Sequence, residues 1–392
     1  MSRELRQYLI ITGNYWGFTL TDGALRMLVV LYFHTLGYSA LDIAFLFLFY
    51  EFFGVVTNLV GGWLGARIGL NRTMNLGLFL QILALAALLV PNSFLTIAWV
   101  MAAQALSGIA KDLNKMSAKS AIKSLVPADH NSRLYRLVAV LTGSKNALKG
   151  IGFFIGGLML SLLGFHTAIL CMVGFLALIW IFSLITLRAP LQRAEYKPKF
   201  SEMWSKSRAI NTLSAARLFL FGARDVWFVV ALPVYFSSQL DWTHASVGAF
   251  FAAWVIGYGV IQASAPLVTG QNPSQTATTG WCVILTVVMG LITAISWVYR
   301  PTAPVLVIGL LVFGAVFAIN SALHSFNIVH LADHKRVSMD VGFYYMSNAA
   351  GRLLGTVASG WLYTQFSLLA CLLVSTLFLL SSSIIVSRVS TR

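Results

Sequence analysis

Twelve predominantly apolar stretches, each long enough to cross the hydrocarbon of a bilayer, follow one another along this chain with only short polar breaks between them. A spanning helix needs about 20 such residues. Backbone N–H and C=O groups find no water at that depth, so the segments must satisfy their hydrogen bonds internally, as helices. The pattern predicts spans at 8–36, 40–64, 74–90, 95–124, 134–162, 167–187, 211–236, 243–268, 277–299, 302–331, 340–363 and 367–387. These runs are unbroken and lack the roughly ten-residue alternating segments of a membrane β-barrel. With 58% hydrophobic and 10% charged residues, the chain also lacks the polar surface a soluble domain of 392 residues needs. The expected fold class is an all-α membrane protein of twelve transmembrane helices in two pseudo-symmetric six-helix bundles. The bundles cover 1–187 and 211–392, with a cytoplasmic linker at 188–210.

A net charge of +15 raises the possibility of nucleic acid as a partner, but the placement of the charges speaks against it. Counting from a cytoplasmic amino terminus, seventeen Lys and Arg residues fall on the cytoplasmic face and Arg300 alone on the other. That asymmetry predicts both termini inside and the bilayer as the partner. The first apolar segment is long and carries Asp22 and Arg26, unlike a cleavable signal peptide. Cys171, Cys282 and Cys371 lie in separate spans and read as packing residues; their spacing suits no metal, and no cofactor is expected.

The remaining nine Lys and Arg residues lie inside predicted spans, against four acids, Asp22, Glu51, Asp112 and Asp225. Each such charge costs at least about 2.5–3.5 kcal/mol at the bilayer centre, so these side chains are expected to face an interior or a wet cavity. Lys115, Lys119 and Arg217 lie near predicted helix ends, where they can snorkel. Arg26, Lys111, Lys145, Lys149, Arg224 and Arg352 form the firm set. Asp22 and Arg26, four apart, share a helix face. They either neutralise each other or form an anion-binding Arg tuned by an acid. Asp225 points about 100° away from Arg224, which leaves that Arg in need of a partner. Lys111, Lys115, Lys119 and Lys123 make a ladder on one face; Lys145 and Lys149 share another beside Asn146. The outer two ladder residues suit lipid phosphates and the inner two, Lys111 and Lys115, a cytoplasmic entry funnel. Glu51, Asp22 and Asp225 are the candidate proton-coupling groups.

Sliding the second half back by 203 positions superposes Tyr32-Phe33 on Tyr235-Phe236, Ser144 on Ser347, Lys149 on Arg352, Gly152 on Gly355 and Gly157 on Gly360. This suggests a parallel duplication. Two parallel six-helix repeats resemble the plan of the major facilitator superfamily, whose substrate sites lie near the midplane between halves. GGWLGARIGLNR resembles that superfamily's loop signature between spans two and three, with Gly62, Leu64, Arg67, Gly69 and Arg72 in fitting positions as a gating loop. Ala66 stands where the usual Asp would be.

Within that superfamily the chain resembles the ArsJ-type organoarsenical efflux permeases of bacteria from end to end. The resemblance rests on TGNYWGFTLTDGALRMLVVLYFH, LFYEFFGVVTNLVGGWLGARIGLNRTMN, MAAQALSGIAKDLNKMSAKS, LTGSKNALKG and SAARLFLFGARDVWFVVALPVY. It implies export of 1-arseno-3-phosphoglycerate across the bacterial inner membrane, with glyceraldehyde-3-phosphate dehydrogenase as the functional partner that makes it. The expected transporter works by alternating access, driven by proton antiport. Arg26, Arg224, Lys149 and Arg352 then bind the phosphate and arsenate groups. A phosphate-ester antiporter is the rival within transport. A membrane-embedded enzyme or sensor is the remote one, and the sequence shows no nucleophile with a base that would support it.

Overall fold

In the computed structural model, which describes residues 3–38, 46–127, 130–187, 198–205, 207–299 and 302–389, the apolar runs are helices throughout and no strand occurs among these residues. The helices are α1 (Arg3–Thr35), α2 (Leu48–Ile68), α3 (Leu70–Ala86), α4 (Ile97–Leu125), α5 (Asn131–Leu163), α6 (Phe165–Thr186), α7 (Arg208–Phe228), α8 (Ala231–Gln239), α9 (His244–Thr269), α10 (Gln275–Tyr299), α11 (Ala303–Leu331), α12 (Val337–Gln365) and α13 (Leu368–Val386). They make twelve spans, because α7 and α8 together form the seventh. The break between α7 and α8 follows from Pro233, which has no N–H to donate and whose ring collides with the carbonyl four residues earlier, at Val229. Within the 188–210 linker, residues 188–197 and 206 lie outside the described residues.

Helix ends follow local chemistry. Thr96 and Thr243 cap α4 and α9 by accepting from the backbone N–H groups of Trp99 and Ser246. Gly69, at φ 95°, makes the turn between α2 and α3 in a conformation that a side chain disfavours.

Eight spans are long and apolar enough to cross a membrane on composition alone. The other four, α1, α2, α4 and α12, are those whose apolar runs Asp22 and Arg26, Glu51, the α4 lysines and Arg352 interrupt. Large apolar side chains such as Phe154, Leu178 and Leu267 are exposed, as a lipid-facing surface requires.

The chain packs as two compact units. Unit 1 comprises 1–130, 144–204 and 332–346; unit 2 comprises 131–143, 205–331 and 347–392. The units therefore do not follow the contiguous halves of the sequence, because the first turns of α5 belong to unit 2 and those of α12 to unit 1. Unit 1 has its own apolar core, with Phe18, Leu28, Phe33, Leu78 and Leu176 fully buried. The core of unit 2 is aromatic: Trp227 lies edge-on to Phe313 with ring centroids 5.3 Å apart, and Phe236 and Phe317 are also buried.

Glycines set the closest helix contacts. A Cβ at Gly152 of α5 would lie 2.6 Å from the Leu20 carbonyl of α1, and one at Gly355 of α12 would lie 2.6 Å from the Gly222 carbonyl of α7. These two glycines are the pair that the 203-residue offset superposes, so the repeat is one of packing as well as of sequence.

Candidate functional site

In unit 1 a charged cluster forms where α1, α2, α4 and α5 meet. Backbones approach closely there: a Cβ at Gly23 would lie 2.7 Å from the Lys149 carbonyl, and one at Gly108 would lie 2.5 Å from the Tyr50 carbonyl. Tyr50, 1% exposed, is the hub. Its hydroxyl donates to Asp22 Oδ1 at 2.6 Å. Its ring carries Lys111 Nζ at 3.8 Å and the Arg26 guanidinium at 4.5 Å from the centroid. Such cation–π contacts are each worth about 0.5–2 kcal/mol, depending on desolvation.

Arg26 Nη2 lies 3.3 Å from Glu51 Oε1 on α2, an interhelical pair. Asp112, buried in α4, takes Lys115 by a direct hydrogen bond and has Lys111 at 3.8 Å. Lys149 has no carboxylate within salt-bridge distance among the described residues. Arg26, Asp22, Lys145 and Lys111 are the charged groups that act on it. Lys145 donates to Asn146 Oδ1 at 3.2 Å. The cluster thus holds five cations, Arg26, Lys111, Lys115, Lys145 and Lys149, against three carboxylates, Asp22, Glu51 and Asp112.

Unit 2 has a second cluster, on α7 and α12. Asp225 is fully buried and held twice: Arg224 Nε donates to its Oδ1 at 2.6 Å and Arg352 Nε to its Oδ2 at 3.0 Å. The sequence expectation that Arg224 and Asp225 diverge is corrected here. The long Arg side chain curls back far enough to reach its neighbour, and the guanidinium also packs 5.0 Å from the Phe221 ring.

Two cations set aside as helix-end residues are fully interior. Arg217, 2% exposed, donates to Asn348 Oδ1 at 2.9 Å and to Ser321 Oγ at 3.3 Å, with its guanidinium 3.9 Å over Phe221. Lys119, 3% exposed, donates to the Tyr345 hydroxyl. Lys123 is buried as well, at 8% exposure. The helix ends fall close to those expected, and it is contact with neighbouring helices that encloses Arg217 and Lys119.

The α2–α3 loop keeps Arg67 and Arg72 exposed. Arg67 packs over Trp63 at 5.2 Å, and the Trp63 indole donates to the Pro198 carbonyl at 2.9 Å. Gly62 touches the backbone at the start of α12: an added Cβ would lie 2.6 Å from the Ser338 carbonyl and 3.0 Å from Gly342 Cα. Ala66, at the motif's acidic position, is buried and offers no charge.

Two functional signals escaped the sequence. Tyr50 reads there as one aromatic among many. The offset of 203 also carries Asp22 onto Asp225, a match that needs no structure to find. No group of three or more His, Cys, Asp or Glu side chains suited to a metal occurs among the described residues.

A family model described as Major Facilitator Superfamily matches residues 9–274. No curated protein matches the sequence. Among solved structures, the human organic anion transporter MFSD10 (TETRAN) is similar at 16% identity and TM-score 0.78, with 98% of this chain and 100% of that chain covered. The E. coli fucose:proton symporter FucP is similar at 12% identity and TM-score 0.77, with both chains covered in full. A bacterial homologue of the iron transporter ferroportin, in its outward-facing state, is similar at 14% identity and TM-score 0.76, with 97% of this chain and 100% of that chain covered.

Proposed function

Because this chain belongs to the Major Facilitator Superfamily and is a multi-pass membrane transporter, we propose that it exports a multiply charged anion, 1-arseno-3-phosphoglycerate, from the bacterial cytoplasm by alternating access. The observation that carries this proposal is the cationic excess repeated in both units. Five cations meet three carboxylates around Tyr50, and in unit 2 Arg224 and Arg352 meet Asp225 while Arg217 is held by Asn348 and Ser321. Placing bare cations in a membrane interior is unfavourable unless something negative joins them. A cargo with a phosphate at one end and an arsenate at the other supplies that charge. Guanidinium groups bind such oxyanions through two parallel N–H donors, which gives Arg26, Arg224 and Arg352 the leading roles and Lys149, Lys145, Lys111 and Lys115 supporting ones.

Proton antiport fits Glu51 best among the candidate carboxylates. It pairs with Arg26 at 3.3 Å and its side chain is 28% exposed, whereas Asp225 is fully buried between two arginines. In an antiport cycle Glu51 takes a proton on the side where the cargo leaves and gives it up on the side where the cargo binds, so that proton and cargo are never carried together. Asp22 serves another purpose, described below. In this scheme both termini face the cytoplasm, and glyceraldehyde-3-phosphate dehydrogenase supplies the cargo.

The test is expression in an arsenate-sensitive cell, with and without the dehydrogenase. Resistance that requires both proteins supports export of the conjugate, and resistance that ignores the dehydrogenase overturns it. A phosphate-ester antiporter shares the buried arginines and is recognised by uptake of ordinary phosphoglycerate alone into everted vesicles.

A further inference from the structure

Among the described residues, Asp22 is the one carboxylate of the unit 1 cluster without a salt bridge, although it is buried beside cations; its hydrogen bond there comes from Tyr50. The repeat supplies a comparison within the same molecule. The offset that carries Asp22 onto Asp225 and Lys149 onto Arg352 also carries Phe47 onto Phe250 and Gly54 onto Gly257, and so aligns α2 with α9. At the place of Tyr50 it puts Ala253, which has no hydroxyl. In unit 2, where that hydroxyl is missing, the carboxylate is taken by the cations: Arg352 reaches Asp225 at 3.0 Å. In unit 1, where it is present, the equivalent Lys149 is left outside any salt bridge.

We propose that Tyr50 is a positioning residue whose hydroxyl holds Asp22 away from Lys149, keeping that ammonium available to an incoming anion. The geometry suits the role. The Tyr50 backbone is fixed by its contact with Gly108, where a Cβ would lie 2.9 Å from Tyr50 Cα. Lys111 and Arg26 both pack on the ring, at 3.8 Å and 4.5 Å from its centroid, and the buried ring holds its hydroxyl at Asp22. A phenol that donates to a carboxylate satisfies part of its hydrogen-bonding demand without cancelling a neighbouring positive charge. Asp22 then moderates the field around Lys149 and Arg26 without occupying either. The role for Lys149 rests on the anion-transport proposal above; the arrangement of Tyr50, Asp22 and Lys149 does not.

The experiment uses purified full-length protein in detergent and needs no substrate. Lys149 is labelled with an amine-reactive anionic reagent, trinitrobenzenesulfonate, and the modified peptide is quantified by mass spectrometry. Tyr50→Phe keeps the ring and its packing but frees Asp22 to pair with Lys149, so labelling should fall at least about fivefold, a change that remains well below the full loss of a buried charge pair. In the Tyr50→Phe/Asp22→Asn double variant labelling should return to the level of Asp22→Asn alone, because no carboxylate remains to be captured. Unchanged labelling in Tyr50→Phe, or an equal fall in both backgrounds, overturns the proposal and leaves a packing role for the ring. Uptake into everted vesicles, with the conjugate generated by the dehydrogenase, adds the functional arm: a raised KM with kcat retained in Tyr50→Phe, rescued by Asp22→Asn. If labelling behaves as stated while the wild-type protein moves no arsenylated conjugate, the cargo assignment fails and the role of Tyr50 stands.

Discussion

The two charged clusters occupy positions that the 203-residue offset relates, and their carboxylates are held differently. Around Asp225 the carboxylate is fully buried and saturated by two arginines. Around Asp22 the carboxylate is bonded to a phenol, and the neighbouring cations are spread over the Tyr50 ring, Glu51 and Asp112. The first arrangement is a closed ion-pair network, costly to break and slow to respond. The second keeps positive charge exposed to whatever enters. The close helix packing thus occurs twice, through Gly152 and Gly355, while the offset sets Tyr50 against Ala253, where the two clusters differ.

The largest expected effect comes from removing an arginine on either side of this comparison. Arg26→Ala and Arg224→Ala should each abolish dehydrogenase-dependent arsenate resistance while the protein still inserts, as checked by membrane fractionation. Normal resistance with either variant removes that cluster from the pathway.

The acids should then separate the clusters by stability. Asp225→Asn takes away the carboxylate that two arginines share and should cost about 3–5 kcal/mol, the usual penalty for breaking a buried ion pair. Asp22→Asn alters one hydrogen bond and should cost about 1 kcal/mol. Thermal unfolding of both variants in the same detergent gives the ratio, and equal losses would erase the distinction between a closed and an open cluster.

The repeated glycines should, by contrast, behave alike. Gly152→Ala and Gly355→Ala each force a methyl against a carbonyl at 2.6 Å and should each lower stability by about 1–3 kcal/mol. Unequal effects would mean that the packing, too, has diverged.

The smallest difference concerns the cation that the repeat varies. Arg352→Lys gives up the Nε bond to Asp225 and should cost about 0.5–1.5 kcal/mol in the same unfolding assay. Lys149→Arg disturbs no salt bridge and should leave the unfolding temperature where it was.

Much of this was legible before any coordinates. Apolar runs of membrane length dictate helices because the backbone has no other way to satisfy itself in hydrocarbon. The six-plus-six pattern and the single offset gave the repeat, and Arg26, Lys149, Arg224 and Arg352 stood out because charge is conspicuous in an apolar run. What a linear pattern does not specify is the partner each charge takes. Spacing along one helix suggested Asp22 for Arg26, yet the interhelical contact puts Glu51 there. Spacing also set Arg224 and Asp225 apart, although a flexible guanidinium closes that angle. Proximity to helix ends suggested snorkelling for Arg217 and Lys119, yet side chains of neighbouring helices bury them, Asn348 and Ser321 for the first and Tyr345 for the second. Tyr50 carried no signal at all, since its role depends on α2 lying against α1 and α4.

The most direct test of the central claim, that these buried cations recognise a multiply negative cargo, is initial uptake into everted vesicles of the arsenylated conjugate against ordinary 3-phosphoglycerate. Wild-type, Arg26→Ala and Arg224→Ala proteins are compared at matched expression. The account predicts wild-type uptake of the conjugate, strong preference over 3-phosphoglycerate, and background rates for both variants. Conjugate uptake that survives in both variants, or a wild-type protein that moves only the ordinary phosphoglycerate, would contradict it.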